Sequence, residues 1–290
     1  MNVRHSSVSV LALLAIMSCE KPVFPQSEKS GGDANGNVVV RVFRIEQQSF
    51  DTSKTRTDGT ANFNRLNFAI YDEAGKRVKQ VNQTISDDSF GATAFALEPG
   101  VYDVVVVAHS SKGNPTMTDP TKIRFDNSDG FTDTFLYHTI VEVGNAPLTV
   151  QADLKRIVSL CRVELTDAIP TGVDQMRFQY KGGSGAFNAA TGLGSVNSTQ
   201  TEFFPVEPGK ESSVYDLYTF LHSDEGTIHL QATAYDEQQN IVCEREFDVP
   251  MKRRLITKLS GPFFSESTSS SLTIVIGIRD DWEGEHLINF

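Results

Sequence analysis

The sequence predicts an all-β protein: two tandem β-sandwich domains that follow a secretory leader and a short tether. Three observations carry this. Apolar residues recur with a period of two through most of the chain after Val38, and no stretch of ten or more residues shows a capped 3.6-residue period. Gly, Pro, Asp and Asn cluster at the joints between these short strands. The strands form two series, which divide near Ala152–Arg156. The expected organisation is therefore a signal peptide over 1–18, a lipidated tether over 19–37, an N-terminal sandwich over 38–153 and a C-terminal sandwich over 154–290.

The leader ends on a cysteine. Arg4 is its one formal charge, and an apolar run from Val8 to Met17 closes on Ile16-Met17-Ser18-Cys19. The run is too short for a bilayer-spanning helix, which needs about 20 apolar residues. It reads as a bacterial signal whose cleavage exposes Cys19. A thiol at the first mature position can take a diacylglyceryl group, and its amine a further acyl chain such as palmitate. Each buried methylene contributes roughly 0.8 kcal/mol, and stable anchoring takes about two chains. Cys19 is thus the expected lipidation site. Residues 20–37, rich in Ser, Gly, Asp and Asn, lack the apolar surface to fold and should hold the rest off the membrane.

Each strand has a local reason. Val38–Ile45 is dense in β-branched residues. Leu66, Phe68 and Ile70 alternate with Asn67, Ala69 and Tyr71, and Asp72-Glu73-Ala74-Gly75 turns the chain into Val78–Ile85. Ala94–Leu97 leads to the turn Glu98-Pro99-Gly100. Val101–Ala108 is apolar on both faces, which predicts a central strand. The polar stretch from Ser110 to Thr134 reads as a long surface loop. Phe135–Val143 and Leu148–Leu154 complete the first series. The second runs through Ile157–Leu165, Met176–Tyr180, Thr201–Val206, Val214–Leu221, Ile228–Tyr235, Ile241–Val249, Leu255–Ser260 and Leu272–Ile278.

Composition limits function. A formal net charge of −11 and a pI near 5.0 argue against nucleic acid and anionic lipid surfaces as partners. Contact with a membrane should come through acyl chains alone, because no apolar run of 18 or more residues follows Cys19. Cys161 and Cys243 lie in apolar strand patterns. One disulfide could join them if the strands are neighbours; two small buried hydrophobes is the plainer reading.

Catalytic, metal and cofactor signatures are absent, so neither an enzyme nor a cofactor is expected. His109, His138, His222, His229 and His286 show no paired ligand spacing, and there is no GxSxG elbow. Asp126–Asp133 looks calcium-like but fails the EF-hand register, since Phe125 stands where the first carboxylate should; a solvated loop is expected. Gly182-Gly183-Ser184-Gly185 reads as a flexible hairpin tip. Trp282, the single tryptophan, is expected to cover the open end of a sandwich, with a sugar platform as the alternative. Arg56, in a polar loop after the first strand, is a candidate site for a trypsin-like protease. A cut there would let Val38–Ile45 leave and open a slot for a strand from another chain. An uncut loop is the favoured reading.

Four segments carry a family resemblance: Arg65–Gly75 (RLNFAIYDEAG), Leu97–Val104 (LEPGVYDV), Lys155–Val163 (KRIVSLCRV) and Ile278–Trp282 (IRDDW). With the lipidated cysteine and tether, the chain resembles the fimbrillin superfamily that builds type V pili in Gram-negative anaerobes, and within it the FimB-type anchor subunits. The resemblance implies transthyretin-like Greek-key sandwiches. It implies a non-catalytic lipoprotein, acylated at Cys19 in the outer membrane and facing the cell exterior, which takes up a fimbrial shaft subunit by β-strand addition. Shaft subunits of this superfamily lose the lipidated end by proteolysis after an arginine, so cleavage at Arg56 would mark a shaft or tip subunit instead. A surface glycan-binding lipoprotein is the reading from another class.

Overall fold

The computed structural model describes residues 32–33, 35–45, 63–126, 128, 130–265, 273–277 and 285–288. Among them are strands and turns but no helix. The first series is β1 (Val38–Ile45), β2 (Arg65–Asp72), β3 (Arg77–Thr84), β4 (Ala92–Phe95), β5 (Gly100–His109), β6 (Ile123–Arg124), β7 (Phe135–Val143) and β8 (Leu148–Arg156). The expected division between 153 and 154 falls inside β8, which carries the chain on to Arg156.

A 7-stranded sheet runs in the order β3-β2-β5-β7-β8-β1-β4. It folds over between β7 and β8, which pair at Phe135↔Arg156 and Leu136↔Lys155. The two layers face each other as a sandwich. Leu66, Phe68 and Ile70 of β2 and Val104 and Val106 of β5 meet Val38, Val40 and Val42 of β1 and Val150 and Leu154 of β8. The β2–β3 turn is built as its composition demands. Gly75 adopts φ +73°, and Asp72 Oδ1 accepts from the Ala74 and Lys76 amides at 3.0 and 2.9 Å.

The second series is β9 (Ser159–Leu165), β10 (Gln175–Lys181), β11 (Ala186–Phe187), β12 (Gln200–Pro205), β13 (Ser213–Thr219), β14 (Glu225–Tyr235), β15 (Ile241–Lys252), β16 (Ile256–Gly261), β17 (Thr273–Gly277) and β18 (Glu285–Ile288). A 4-stranded layer, β12-β10-β14-β15, packs on a 5-stranded layer, β13-β9-β16-β17-β18. Between them lie Cys161, Val163, Phe178, Leu217, Ile228, Leu230 and Leu259. Cys161 is buried and Cys243 partly so; both are free thiols, and Cys243 lies against the Phe263 carbonyl at 3.4 Å.

A third core joins the two sandwiches and corrects one expectation. Residues 110–134 are not simply a surface loop: Met117, Ile123, Phe125 and Phe131 are buried against Val105, Val107 and Tyr71. The same cluster takes in Ile157, Val158, Phe187 and Phe220 from beyond β8. β6 pairs with β11, Ile123 opposite Phe187. Phe125 stacks on Phe220 at 6.2 Å, and Phe131 and Phe187 approach the same ring at 5.5 and 5.0 Å. Composition misled here because the segment is polar on average while its few apolar side chains all point one way. This shared core also explains β5, whose successive valines serve two different cores.

Candidate assembly surface

β1 occupies the middle of its layer. It pairs antiparallel with β4 from Val38↔Phe95 to Arg41↔Ala92, and parallel with β8 from Val38↔Leu148 to Ile45↔Leu154. Val38, Val40 and Val42 point into the core and are buried. Burial of a valine side chain stabilises by roughly 1.5–3 kcal/mol, so three of them hold β1 by several kcal/mol before any ladder bond is counted. A strand held on both sides by main-chain bonds is the geometry of strand addition, here satisfied by the chain's own first strand.

The approach to β1 corrects the expected tether. Free chain should extend to residue 37, yet Asp33 and Asn37 are already bonded to the fold. The Asp33 amide donates to the Ala94 carbonyl at 2.9 Å, which places it on the outer edge of β4. Asp33 Oδ2 accepts from the Ala96 amide at 2.8 Å and from Lys79 Nζ at 2.9 Å. The Ala96 amide, and then Lys79, hold this carboxyl below the usual carboxylate range. Asn37 Nδ2 donates to the Leu97 carbonyl and Asn37 Oδ1 accepts from the Leu97 amide, each at 2.9 Å. Gly36 fits because a Cβ there would stand 2.7 Å from the Phe95 nitrogen. The segment therefore covers an edge that would otherwise offer unpaired amides to another chain. Sequence reasoning missed Asp33 and Asn37; the signal available was an Asp and an Asn spaced among glycines, which also describes a linker.

Cys19, Arg56 and Trp282 lie outside the described residues. The link that contains Arg56 joins β1 to the Phe63 end of β2. The other candidates resolve as structural. His109 is buried: Ser111 N–H donates to its Nδ1 at 3.1 Å, so the ring proton sits on Nε2, 2.7 Å from Asn67 Oδ1. Burial, and then Arg65, lower its pKa to about 3. His229 is exposed and pairs with Asp248. Among the described residues no cluster of three His, Cys, Asp or Glu could hold a metal.

Two loop readings change. Of the calcium-like stretch, Asp126 accepts from its own turn, the Ser128 amide at 3.0 Å. Asp133 instead turns inward to Arg156, with Nε–Oδ1 and Nη2–Oδ2 both 2.7 Å, and the guanidinium lies 4.9 Å from the Phe135 ring. The stretch is therefore not a solvated loop throughout: its C-terminal part is a buried ion pair in the frame. The Gly182–Gly185 segment is not a flexible tip. A Cβ at Gly182 would stand 2.3 Å from the Thr227 carbonyl, and one at Gly183 would stand 1.9 Å from Thr219 Oγ1. Glycine is there for close approach, not for motion.

The outer face of β12-β10-β14-β15 is polar and cross-linked. Arg177 Nη2 donates to Gln231 Oε1 and Thr233 Oγ1 at 2.8 and 3.0 Å, and Thr233 donates to Glu244 at 2.9 Å. A shallow depression of about 330 Å³ lies beside this network, lined by Gln179, Lys181, His229 and Asp248 among others. Phe203, on the outermost strand of that layer, is 53% exposed, and Val214 on β13 is 54% exposed. Exposed apolar side chains thus stand on β12 and β13, at the borders of the second sandwich.

A family model described as "Family of unknown function (DUF6562)" matches residues 34–289. No curated protein matches the chain. Among solved structures, the chain is similar to a candidate adhesin from Bacteroides ovatus, with 14% identity over 73% of this chain and 81% of that one and a TM-score of 0.49. It is similar to the fimbrial anchor protein Mfa2 from Porphyromonas gingivalis, with 12% identity, 77% and 89% coverage and a TM-score of 0.43. A fimbrial assembly protein from Parabacteroides distasonis gives 14% identity, 87% and 98% coverage and a TM-score of 0.42.

Proposed function

The chain belongs to the DUF6562 family, and from that premise we propose that it is a non-catalytic outer-membrane lipoprotein, tethered through acyl chains on Cys19, that anchors or initiates a fimbria by receiving a shaft subunit through β-strand addition. Its division into residues 38–153 and 154–290 as two sandwiches is part of the same reading.

The observation that supports it is how the chain enters the fold from Asp33 into β1. The tether's end is hydrogen-bonded to Ala94 of β4 at Asp33 and to Leu97, just past β4, at Asn37, and β1 follows at once as a doubly paired strand with three core valines. A pull on the lipid end is thus delivered into a ladder, where it must shear many main-chain bonds, not peel one side chain. The shared core between the sandwiches supports the same reading, since a fibre base must transmit load from one end to the other. Among the described strands β3, β12, β15 and β13 stand at the ends of their sheets, where an incoming strand would pair, and a head-to-tail contact of that kind extends into a filament.

The seat of β1 also supports a second reading. After a cut at Arg56 the described contacts on the β1 segment are its ladders, its valines and the Asp33 and Asn37 bonds, and its departure would open a slot between β4 and β8. That is the matured shaft or tip subunit. Mass spectrometry of protein taken from membranes separates the two. The anchor retains acylated Cys19; a matured subunit begins at Thr57. In detergent-phase partitioning, Cys19→Ala should move the full chain to the aqueous phase. A lipid-free native protein with residues 1–18 still attached would overturn both.

A further inference from the structure

Glu202 lies on β12 with 6% of its surface exposed. Its Oε1 stands 2.9 Å from Tyr180 Oη, and the same phenol oxygen stands 2.8 Å from the Tyr218 carbonyl. A phenol has one proton to donate. If Glu202 is ionised, Tyr180 faces two acceptors and can satisfy one. Both contacts are satisfied together when Glu202 is a carboxylic acid: its O–H donates to Tyr180 Oη, and Tyr180 donates to the Tyr218 carbonyl.

The second carboxyl oxygen faces the other sandwich. Gly130, at φ +76°, comes so close that a Cβ on it would stand 2.1 Å from Glu202 Oε2. Gly130 leads directly into Phe131, whose ring packs on Phe220 at 5.5 Å within the shared core. The carboxyl therefore sits where residues 110–134 of the first half meet β10, β12 and β13 of the second.

We propose that Glu202 is a proton-operated joint between the two sandwiches: the neutral acid holds them closed, and ionisation loosens the contact at Gly130–Phe131. When the proton leaves to solvent, the carboxylate claims the Tyr180 proton and the Tyr180 bond to the Tyr218 carbonyl is lost. Oε2 is then a charge held against the Gly130 backbone with little water, which is costly. The joint is independent of the acyl anchor, and its failure would leave that reading untouched.

The surroundings agree. Burial raises the Glu202 pKa to about 7. Burial likewise lifts the Tyr180 phenol well above its usual range and pushes the Cys161 thiol behind it up to about 12, so both stay uncharged. The charges beside Tyr218 are already paired, Asp133 with Arg156 and Asp216 with Arg162, the latter at 2.7 and 2.8 Å. From residues 110–134 the described group against the carboxyl is the uncharged Gly130. In the unfolded chain Glu202 titrates near the ordinary glutamate value of 4.5. Between that value and about 7 the folded state holds a proton that the unfolded state lacks. Stability from the closed joint is complete below 4.5 and is lost as pH rises through 7.

The test is the pH dependence of unfolding of the full chain against Glu202→Gln, which keeps shape and hydrogen bonding without titrating. Between pH 5 and pH 8 the native protein should lose folding equilibrium constant relative to the variant, on the order of a hundredfold. Amide exchange at 130–134 should quicken over the same range in the native protein alone. Parallel pH profiles would overturn the proposal. If Glu202→Gln fails to fold, carboxyl-carbon NMR of the native protein decides: a glutamate resonance titrating near pH 7 supports the joint, and glutamates that all titrate below about pH 5.5 overturn it.

Discussion

The layers β3-β2-β5-β7 and β12-β10-β14-β15 hold four strands each and solve burial differently. In the first, β2 and β5 have no solvent face: Val104 and Val106 enter the sandwich core, while Val105 and Val107 enter the core shared with the second half. In the second, Ile228, Leu230 and Ala232 of β14 face inward, and Thr227, His229 and Gln231 face out into a polar network. Strand pairing does not decide which pattern appears. The decision lies in what covers the outer face. Residues 110–134, with Phe187 and Phe220, cover one layer; water covers the other. The covered layer binds the two halves together, and the open one supplies a hydrogen-bonded outer surface.

That contrast can be broken experimentally. The largest expected effect is at the edge of the shared core. Asp133→Ala would take its carboxylate away from Arg156, which is 1% exposed, and should cost about 3–5 kcal/mol in urea unfolding. A loss under about 1 kcal/mol would mean that the pair is hydrated and that the joint is looser than its geometry indicates. Next comes the two-faced strand itself. Val105→Ala and Val106→Ala should each cost about 2 kcal/mol, whereas on β14 His229→Ala should stay within about 0.5 kcal/mol, as exposed positions do. If Val105→Ala were as mild as His229→Ala, the shared core would not bear on stability.

The smallest effect, over the single unit between pH 6.5 and 5.5, is a pH dependence at β5. The folded pKa of His109 lies near 3, below the 6.5 of a free imidazole. Below 6.5 the unfolded chain takes up a proton that the folded protein refuses. Stability is therefore complete above 6.5 and falls as pH drops from there towards 3, by at most about 1.4 kcal/mol per unit. His109→Gln should flatten the slope between pH 6.5 and 5.5, read as the urea midpoint. An unchanged slope would place the acid sensitivity elsewhere. The sign is opposite to that of Glu202, so the buried base weakens the protein in acid and the buried acid weakens it in alkali.

Much of the strand pattern was legible because alternation is a local property. Val38–Ile45 and Phe135–Val143 coincide with β1 and β7, and the Asp72–Gly75 turn forms as composition demands. The second half's strands emerge within a few residues of their expected ends, apart from the two-residue β11 and the terminal β18. The errors share a cause. Residues 110–134, the Gly182–Gly185 segment and the end of the tether all look polar or flexible in isolation, and each is held by something far away in sequence: Phe220, Thr219 and Ala94. Glycine needed for close approach and glycine in a linker are written with the same letter.

The amino-acid sequence by itself determined the all-β class and the alternation that orients most strands, because each depends on neighbours in the chain. Tertiary structure alone decided that the tether is pinned from Asp33, that two valine faces of one strand serve different cores, and that Glu202, Tyr180 and Gly130 meet. Those outcomes depend on which distant surface arrives to exclude water, and no local pattern encodes that arrival.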